Sequence, residues 1–291
     1  MTITRDRLNH EAVDLRSLDI GDHRVTYLPD GVARIDPYHW LPDADEQIWQ
    51  QFADHVDDDG YLAASVGALL IEYGNRAMLI DAGFGPLAVP TQVGLLRGGK
   101  LIDSLAAAGR SIADLDLVAL THLHMDHLGW LWQSHPDTTT NLFAGIPILV
   151  SHNEWQNLDL AIADGAPPEV LEVIAAQVRT IGEHEIFPGV HAIPTPGHSL
   201  GHTSYRLTSG GEQLLVFGDA LTSPIQITHP NLTSSADDDP ARSRASARWL
   251  INQLTHPDTV GFGVHFADIQ FGRVTTIGGI HHWQPVPTAI L

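Results

Sequence analysis

Directly after the apolar run DLVAL (116–120) the chain reads THLHMDH (121–127), which places three histidines and one aspartate within six positions. No other stretch restricts the fold as strongly. In an extended segment, residues two apart face the same side, so His122 and His124 can reach one point together. If the chain then turns into a helix, Asp126 and His127 swing toward a neighbouring point. Such a cluster at the end of a buried strand calls for further ligands, and other strand ends must deliver them. Three residues are placed to do so. His198 lies in TPGHSLGHTSY, where Pro196-Gly197 lets the backbone approach closely; Asp219 ends the run LLVFGD, and His265 ends GFGVH.

The chain contains no cysteine. Disulfides, thiolate metal sites and a cysteine nucleophile are therefore excluded. Any metal must be held by imidazole and carboxylate, a donor set that suits zinc and also iron, manganese or cobalt.

Turn and period signals divide the remainder. RVTYLPDGVARI (24–35) reads as two short strands around an Asp-Gly turn. ADEQIWQQFADHV (44–56) spaces Ile48, Phe52 and Val56 four apart, as in an amphipathic helix. SVGALLIEY and RAMLI flank Gly74-Asn75 as a hairpin over 65–80 that runs into Asp81. A helix is expected at about 100–109, strands at 116–120 and 147–151, and a proline-started helix at 167–180. A second hairpin, 202–220, turns at Gly210-Gly211 and again ends in an aspartate. Pro240, preceded by three aspartates, opens a helix to 254, and TVGFGVHF (259–266) is a strand. Residues 65–124 and 202–265 thus repeat one order: hairpin, strand-end aspartate, helix, then a strand delivering histidine. Two β-rich halves that bury their sheets against each other satisfy this pattern. With no linker of low complexity, residues 1–291 read as one domain, in which about 1–60 is an extension.

Basic residues number 15 against 35 acidic, a formal charge of −20. Such a surface repels polyanions and argues against a nucleic-acid partner. No run approaches the roughly 18 apolar residues of a membrane helix. The polar start MTITRDRLNHEAVDLR has no signal-peptide core, so a cytoplasmic location is expected.

HLHMDH, followed in order by His198, Asp219 and His265, resembles the pattern HxHxDH…H…D…H of the metallo-β-lactamase superfamily, and Asp81 in LIDAG matches that family's first conserved aspartate. The resemblance spans about 65–285. It implies a four-layer αββα sandwich, with one metal held by His122, His124 and His198. It implies a second metal held by Asp126, His127 and His265, with Asp219 bridging both and Asp81 orienting the metal loop. His202, four residues after His198, is expected to support the site without ligating.

Two divalent ions so held lower the pKa of a bridging water, stabilise hydroxide at neutral pH and polarise the bond under attack. Asp126 and Asp219 can pass a proton to the leaving group. Absence of cysteine excludes the β-lactamase subclasses with a cysteine ligand, and Asp219 departs from the cysteine-free ones. The tail GGIHHWQPVPTAIL lacks the basic residues of glutathione-thioester members. TPGHSLGHTSYRLTSGGEQLLVFGDALTSPIQITHP and GRVTTIGGIHHWQPV look similar to methyl parathion hydrolase-like proteins, and acyl-homoserine lactonases share the metal pattern. Many of those lactonases place a tyrosine where this chain has Thr222. The resulting expectation is a dinuclear, zinc-dependent hydrolase of a lactone or small ester, with a phosphotriesterase as the alternative. A β-lactamase or a metal-binding scaffold without turnover ranks below both. Phe84, Trp130, Trp155, Thr222 and Phe266 are the pocket candidates. Trp40 and the 44–56 segment are candidates for a lid or a homodimer contact.

Overall fold

The 65–80 hairpin lies at the heart of one of two β-sheets in the computed structural model, which describes residues 5–91 and 94–291. Strands β1 (Arg16–Ile20), β2 (His23–Ile35), β3 (Leu62–Tyr73) and β4 (Arg76–Ile80) form an antiparallel meander. The short β5 (Ala88–Thr91) and β6 (Gly94–Arg97) attach to β2 at its far end. Strands β7 (Leu117–Ala119), β8 (Ile148–Ser151) and β9 (Val178–Ile181) then extend the sheet in parallel from β4.

The second sheet runs in chain order through β10 (Glu185–Phe187), β11 (Val190–Pro194), β12 (Thr203–Ser209), β13 (Glu212–Val216), β14 (Thr259–Phe262), β15 (Phe271–Ile277) and β16 (Ile280–Pro285). A last two-residue strand, β17 (Ala289–Ile290), returns to pair with β1.

Side-chain alternation explains why these strands read as continuous apolar runs. Successive residues of a strand face opposite sides, and here both sides are covered. From β3 and β4, Leu69, Ile71, Met78 and Ile80 face the second sheet, where they meet Tyr205, Leu207, Leu214 and Val216. Their neighbours Leu70, Ala77 and Leu79 face outward, onto Leu101 and Leu105 and onto Val170 and Leu171 of flanking helices. Likewise Leu215 and Phe217 turn to Ala247, Leu250 and Ile251 of the helix Pro240–Leu254. The layers are therefore helix, sheet, sheet, helix.

The repeated order seen in the sequence is also a repeated topology. Hairpin β3–β4 is followed by parallel β7, and hairpin β12–β13 by parallel β14.

Three expectations are corrected. Asp30-Gly31 makes no turn: β2 runs straight through, with a register shift between Pro29 and Gly31. The fully buried Asp30 carboxylate accepts hydrogen bonds from Phe84 N, Gly85 N, Gly99 N, Lys100 N, Leu101 N and Trp130 Nε1. That tertiary demand overrides the local turn signal. The helix expected over 167–180 stops at Ile174, and its last residues become edge strand β9. The 44–56 segment is helical only over Glu46–Gln51, followed by a 3-10 turn at Ala53–His55. The N-terminal extension supplies β1 and β2 and packs Leu41 and Trp49 against Leu62, Ile225 and Leu232. No helix among the described residues is long and apolar enough to cross a membrane.

Candidate metal centre

The C-terminal ends of the two parallel pairs meet at one place. Asp81 follows β4, the THLHMDH segment follows β7, Asp219 follows β13 and His265 lies just past β14. His198 sits on the turn between β11 and β12, where Gly197 (φ 140°) passes so close to the Ser243 backbone that a Cβ would collide with it.

All seven residues proposed from the sequence as ligands lie together. The nitrogens of His122, His124 and His198 fall within 4.8 Å of one another, as do the ligand atoms of Asp126, His127 and His265, and those of His122, His127 and Asp219. Asp219 occupies the middle. Its Oδ2 is 3.4 Å from His198 Nε2, and its Oδ1 is 3.3 Å from His127 Nε2 and 3.1 Å from His265 Nε2. Asp126 Oδ2 is 3.4 Å from His265 Nε2.

The imidazoles are oriented from behind. His127 Nδ1 donates to Asp81 Oδ2 (2.9 Å), His198 Nδ1 to Asp237 Oδ1 (2.9 Å) and His265 Nδ1 to the Ser65 carbonyl (2.8 Å). His122 Nδ1 lies 3.0 Å from Thr121 Oγ1. Such outward bonds fix the tautomer that leaves Nε2 as an inward lone pair, the usual arrangement of metal-binding histidines. Inward, Nε2 of His122, His127 and His265 and Oδ1 of Asp219 are buried with no hydrogen-bond partner, while His124 turns its Nδ1 to His198 Nε2 at 3.1 Å. Each such orphan costs about 1–3 kcal/mol. Four of them converging, all nitrogen and oxygen, fit a divalent cation.

The charges of the metal-free site point the same way. Burial alone would lower His127, yet Asp219, Asp126 and Asp81 hold it well above its ordinary value. His198 and His265 are raised against burial by Asp219, helped by Asp237 and Asp126 respectively. Burial and neighbouring imidazoles push His122 well down and His124 to about 3. Despite burial, His265, His127 and His198 hold Asp219 well below the usual carboxylate range.

A cation would therefore compete with protons at His127, His198 and His265. Because those groups are raised, competition by protons extends above the ordinary imidazole value of about 6.5. Apparent metal affinity should rise with pH from about 6 to 8, with proton release on binding. Calorimetry in two buffers of different ionisation enthalpy measures this; pH-independent affinity without proton release would contradict it.

A model of the metallo-beta-lactamase superfamily matches residues 64–263. The chain belongs to the metallo-β-lactamase superfamily. An N-acyl homoserine lactonase from Bacillus sp is 26% identical over 156 residues, which is 48% of this chain and 56% of that relative. The match thus spans little more than half of the relative's length. Among solved structures, AidC, described as a dizinc quorum-quenching lactonase in complex with a product, superposes with a TM-score of 0.80 at 22% identity, covering 97% of this chain and 99% of AidC. The hydrolase AbOPH gives 0.78 at 22% identity, covering 94% of this chain and 98% of its own. At such identity these two show the superfamily fold alone.

Within that fold, Asp81 adopts a left-handed backbone (φ 63°), unusual for a residue other than glycine. Its Oδ1 accepts from Thr121 N (2.8 Å), which ties the start of the metal loop to the end of β4. His202 Nε2 accepts from Asp219 N (3.0 Å), so its proton sits on Nδ1, facing Thr195 Oγ1 at 2.9 Å. Burial drives His202 down to about 3, which keeps it neutral.

The pocket candidates divide. Phe84 joins Ala64, Val66, Trp40, Leu96 and Met125 in an apolar group that abuts the metal loop through Met125. Trp40 places its ring edge-on to His265, 6.2 Å between centroids. Thr222 lines a cleft with Trp40, Leu62, Pro224 and His265, but its hydroxyl donates to Gln226 Oε1 (3.2 Å).

Trp130, Trp155 and Phe266 are corrected. Trp130 is buried and bonded to Asp30, Trp155 packs on the helix-covered core, and Phe266 stacks among Phe217 and Trp283. In each case a buried partner or the apolar core takes up the ring. Sequence reasoning missed Asp237, hidden in the run Asp237-Asp238-Asp239. Asp239 does cap the following helix, accepting from Ala241 N and Arg242 N, while Asp237 turns back to His198.

Proposed function

We propose that the protein is a dinuclear metal-dependent hydrolase of a neutral lactone or small ester. The observation that carries this reading is Asp219, central between two three-residue groups, with the inward Nε2 atoms of His122, His127 and His265 left without hydrogen-bond partners. His122, His124 and His198 would hold one ion, Asp126, His127 and His265 the other, and Asp219 would face both. Imidazole and carboxylate without sulfur suit zinc among other divalent metals, and the dizinc description of AidC favours zinc.

When bound, the ions would supply an acidified water and polarise the carbonyl under attack. The protein does the rest. Asp81, Asp237 and Ser65 hold the imidazoles in their tautomers. His202 holds the Asp219 backbone. Asp126, less buried than Asp219, stands where it can carry a proton to the leaving alkoxide. Thr222 offers no phenol and its hydroxyl is already engaged, so it contributes no donor to the developing oxyanion.

Substrate choice falls to the walls. Phe84, Met125, Leu96 and Trp40 favour an apolar substituent, and the similarity to N-acyl homoserine lactonases supports a lactone. The same donor set would serve a phosphotriester. A net charge of −20 repels an approaching anion, though bound cations attract it locally. Neutral lactones or esters with an apolar tail should therefore exceed anionic phosphodiesters in kcat/KM. A turnover screen of zinc-loaded protein with lactones, aryl esters, phosphotriesters, phosphodiesters and β-lactams decides it. Efficient cleavage of phosphodiesters or β-lactams, with every lactone and ester untouched, would overturn this substrate class.

A further inference from the structure

His124 and His198 approach to 3.1 Å, although one follows a strand of the first sheet and the other precedes a strand of the second. Something must fix the two loops relative to each other. Glu154 stands between them, 5% exposed, on the short helix His152–Trp155 that follows β8. Its Oε1 accepts from Leu123 N at 3.1 Å, the residue between His122 and His124. Its Oε2 accepts from Ser199 Oγ and Gly201 N, both at 2.8 Å, one and three residues beyond His198.

The same turn of chain grips Gly201 a second time. Ser151 Oγ donates to the Gly201 carbonyl (2.6 Å) while accepting from Glu154 N (3.1 Å). Gly201 lies so close that a Cβ would collide with Glu154 N and Cα. A buried carboxylate reaching two loops from a third element leaves those loops little freedom to separate. The group Asp126, His127 and His265 has other supports, Asp81 and Ser65, neither of which touches Glu154.

We propose that Glu154 is a positioning residue for one ion only: it sets the spacing of the two loops that carry His122, His124 and His198. This rests on the dinuclear reading above. Glu154 bonds Leu123, Ser199 and Gly201 rather than any of the metal-site side chains and acts through the loops. A glutamine in its place keeps the shape but has a single acceptor oxygen. Its NH2 must then face either Leu123 N–H or Gly201 N–H, donor against donor, and one loop is released.

The test is a titration of metal-free protein with Co2+, read by visible absorption, with Zn2+ calorimetry alongside. Wild type should take up two ions. In Glu154→Gln one ion should bind roughly 10–100-fold more weakly, the scale seen for carboxylates behind metal ligands. The other ion should bind as in wild type, and saturating metal should restore most of the turnover. Wild-type affinity for both ions in a folded E154Q overturns the proposal while leaving the hydrolase reading intact. Equal weakening of both ions overturns it too, since the effect would then be general loosening. A wild type that takes up no metal sinks the hydrolase reading itself. If E154Q does not fold, Ser199→Ala carries the test, because it removes one donor and leaves the carboxylate paired. Several-fold weaker binding of one ion supports the proposal, and unchanged binding of both overturns it.

Discussion

Asp219→Ala should lower turnover by at least ~100-fold, the scale of losing a major electrostatic stabiliser, and should weaken metal occupancy as well. The carboxylate is 4% exposed and lies within 3.4 Å of the inward nitrogens of His127, His198 and His265. Two cations facing each other without an anion between them repel strongly in a low-dielectric setting. Alanine also leaves a void that water can only partly fill. The backbone N–H of residue 219 still has His202 Nε2 as its acceptor, so the loop should keep its course. Loss should thus appear in metal content and kcat rather than in folding. Metal analysis, circular dichroism and steady-state kinetics on one preparation separate these effects. A variant with both ions and near-normal kcat would show that Asp219 plays no central part.

Stripping the metal should have an equally large effect, on stability as well as activity. A ligand that binds only the folded state stabilises it by about 4 kcal/mol at a free concentration a thousand times its Kd. Without metal, four buried inward atoms would lack partners, and His127, His198 and His265, all raised above the ordinary imidazole value by Asp219, would stay packed together. Chelation should therefore abolish turnover and lower Tm by several degrees, with both restored on adding Zn2+. Full activity after exhaustive dialysis against chelator, with metal content confirmed near zero, would rule out a metal mechanism.

What could be read from the sequence follows from how local each signal is. THLHMDH puts its donors close along the chain, so the common direction of His122 and His124 follows from period alone. The two hairpins announce themselves by Gly74-Asn75 and Gly210-Gly211, and the helix Pro240–Leu254 by its proline and preceding acids. Residues whose meaning depends on a distant partner stayed hidden. Asp30 looks like half of a turn until five backbone N–H groups from two other segments meet it. Glu154 and Asp237 are ordinary acids in polar stretches, and nothing local marks which carboxylate turns inward. Aromatics failed for the opposite reason. Nearness in sequence to a metal-loop end says little about which side of the sheet a large ring takes, and Trp130 and Phe266 took the core.

The seam between the two halves has a mechanical meaning. His122, His124, Asp126 and His127 belong to the first sheet's loops; His198, Asp219 and His265 belong to the second's. An ion held across that seam would work as a cross-link, closing the chain between 122 and 198 or between 126 and 265 much as a disulfide would and removing the loop entropy of the opened form. A chain without cysteine has no covalent route to such a clasp. Loading the ions would then do more than equip the site: it would add a clasp to the apolar core that already joins the two halves.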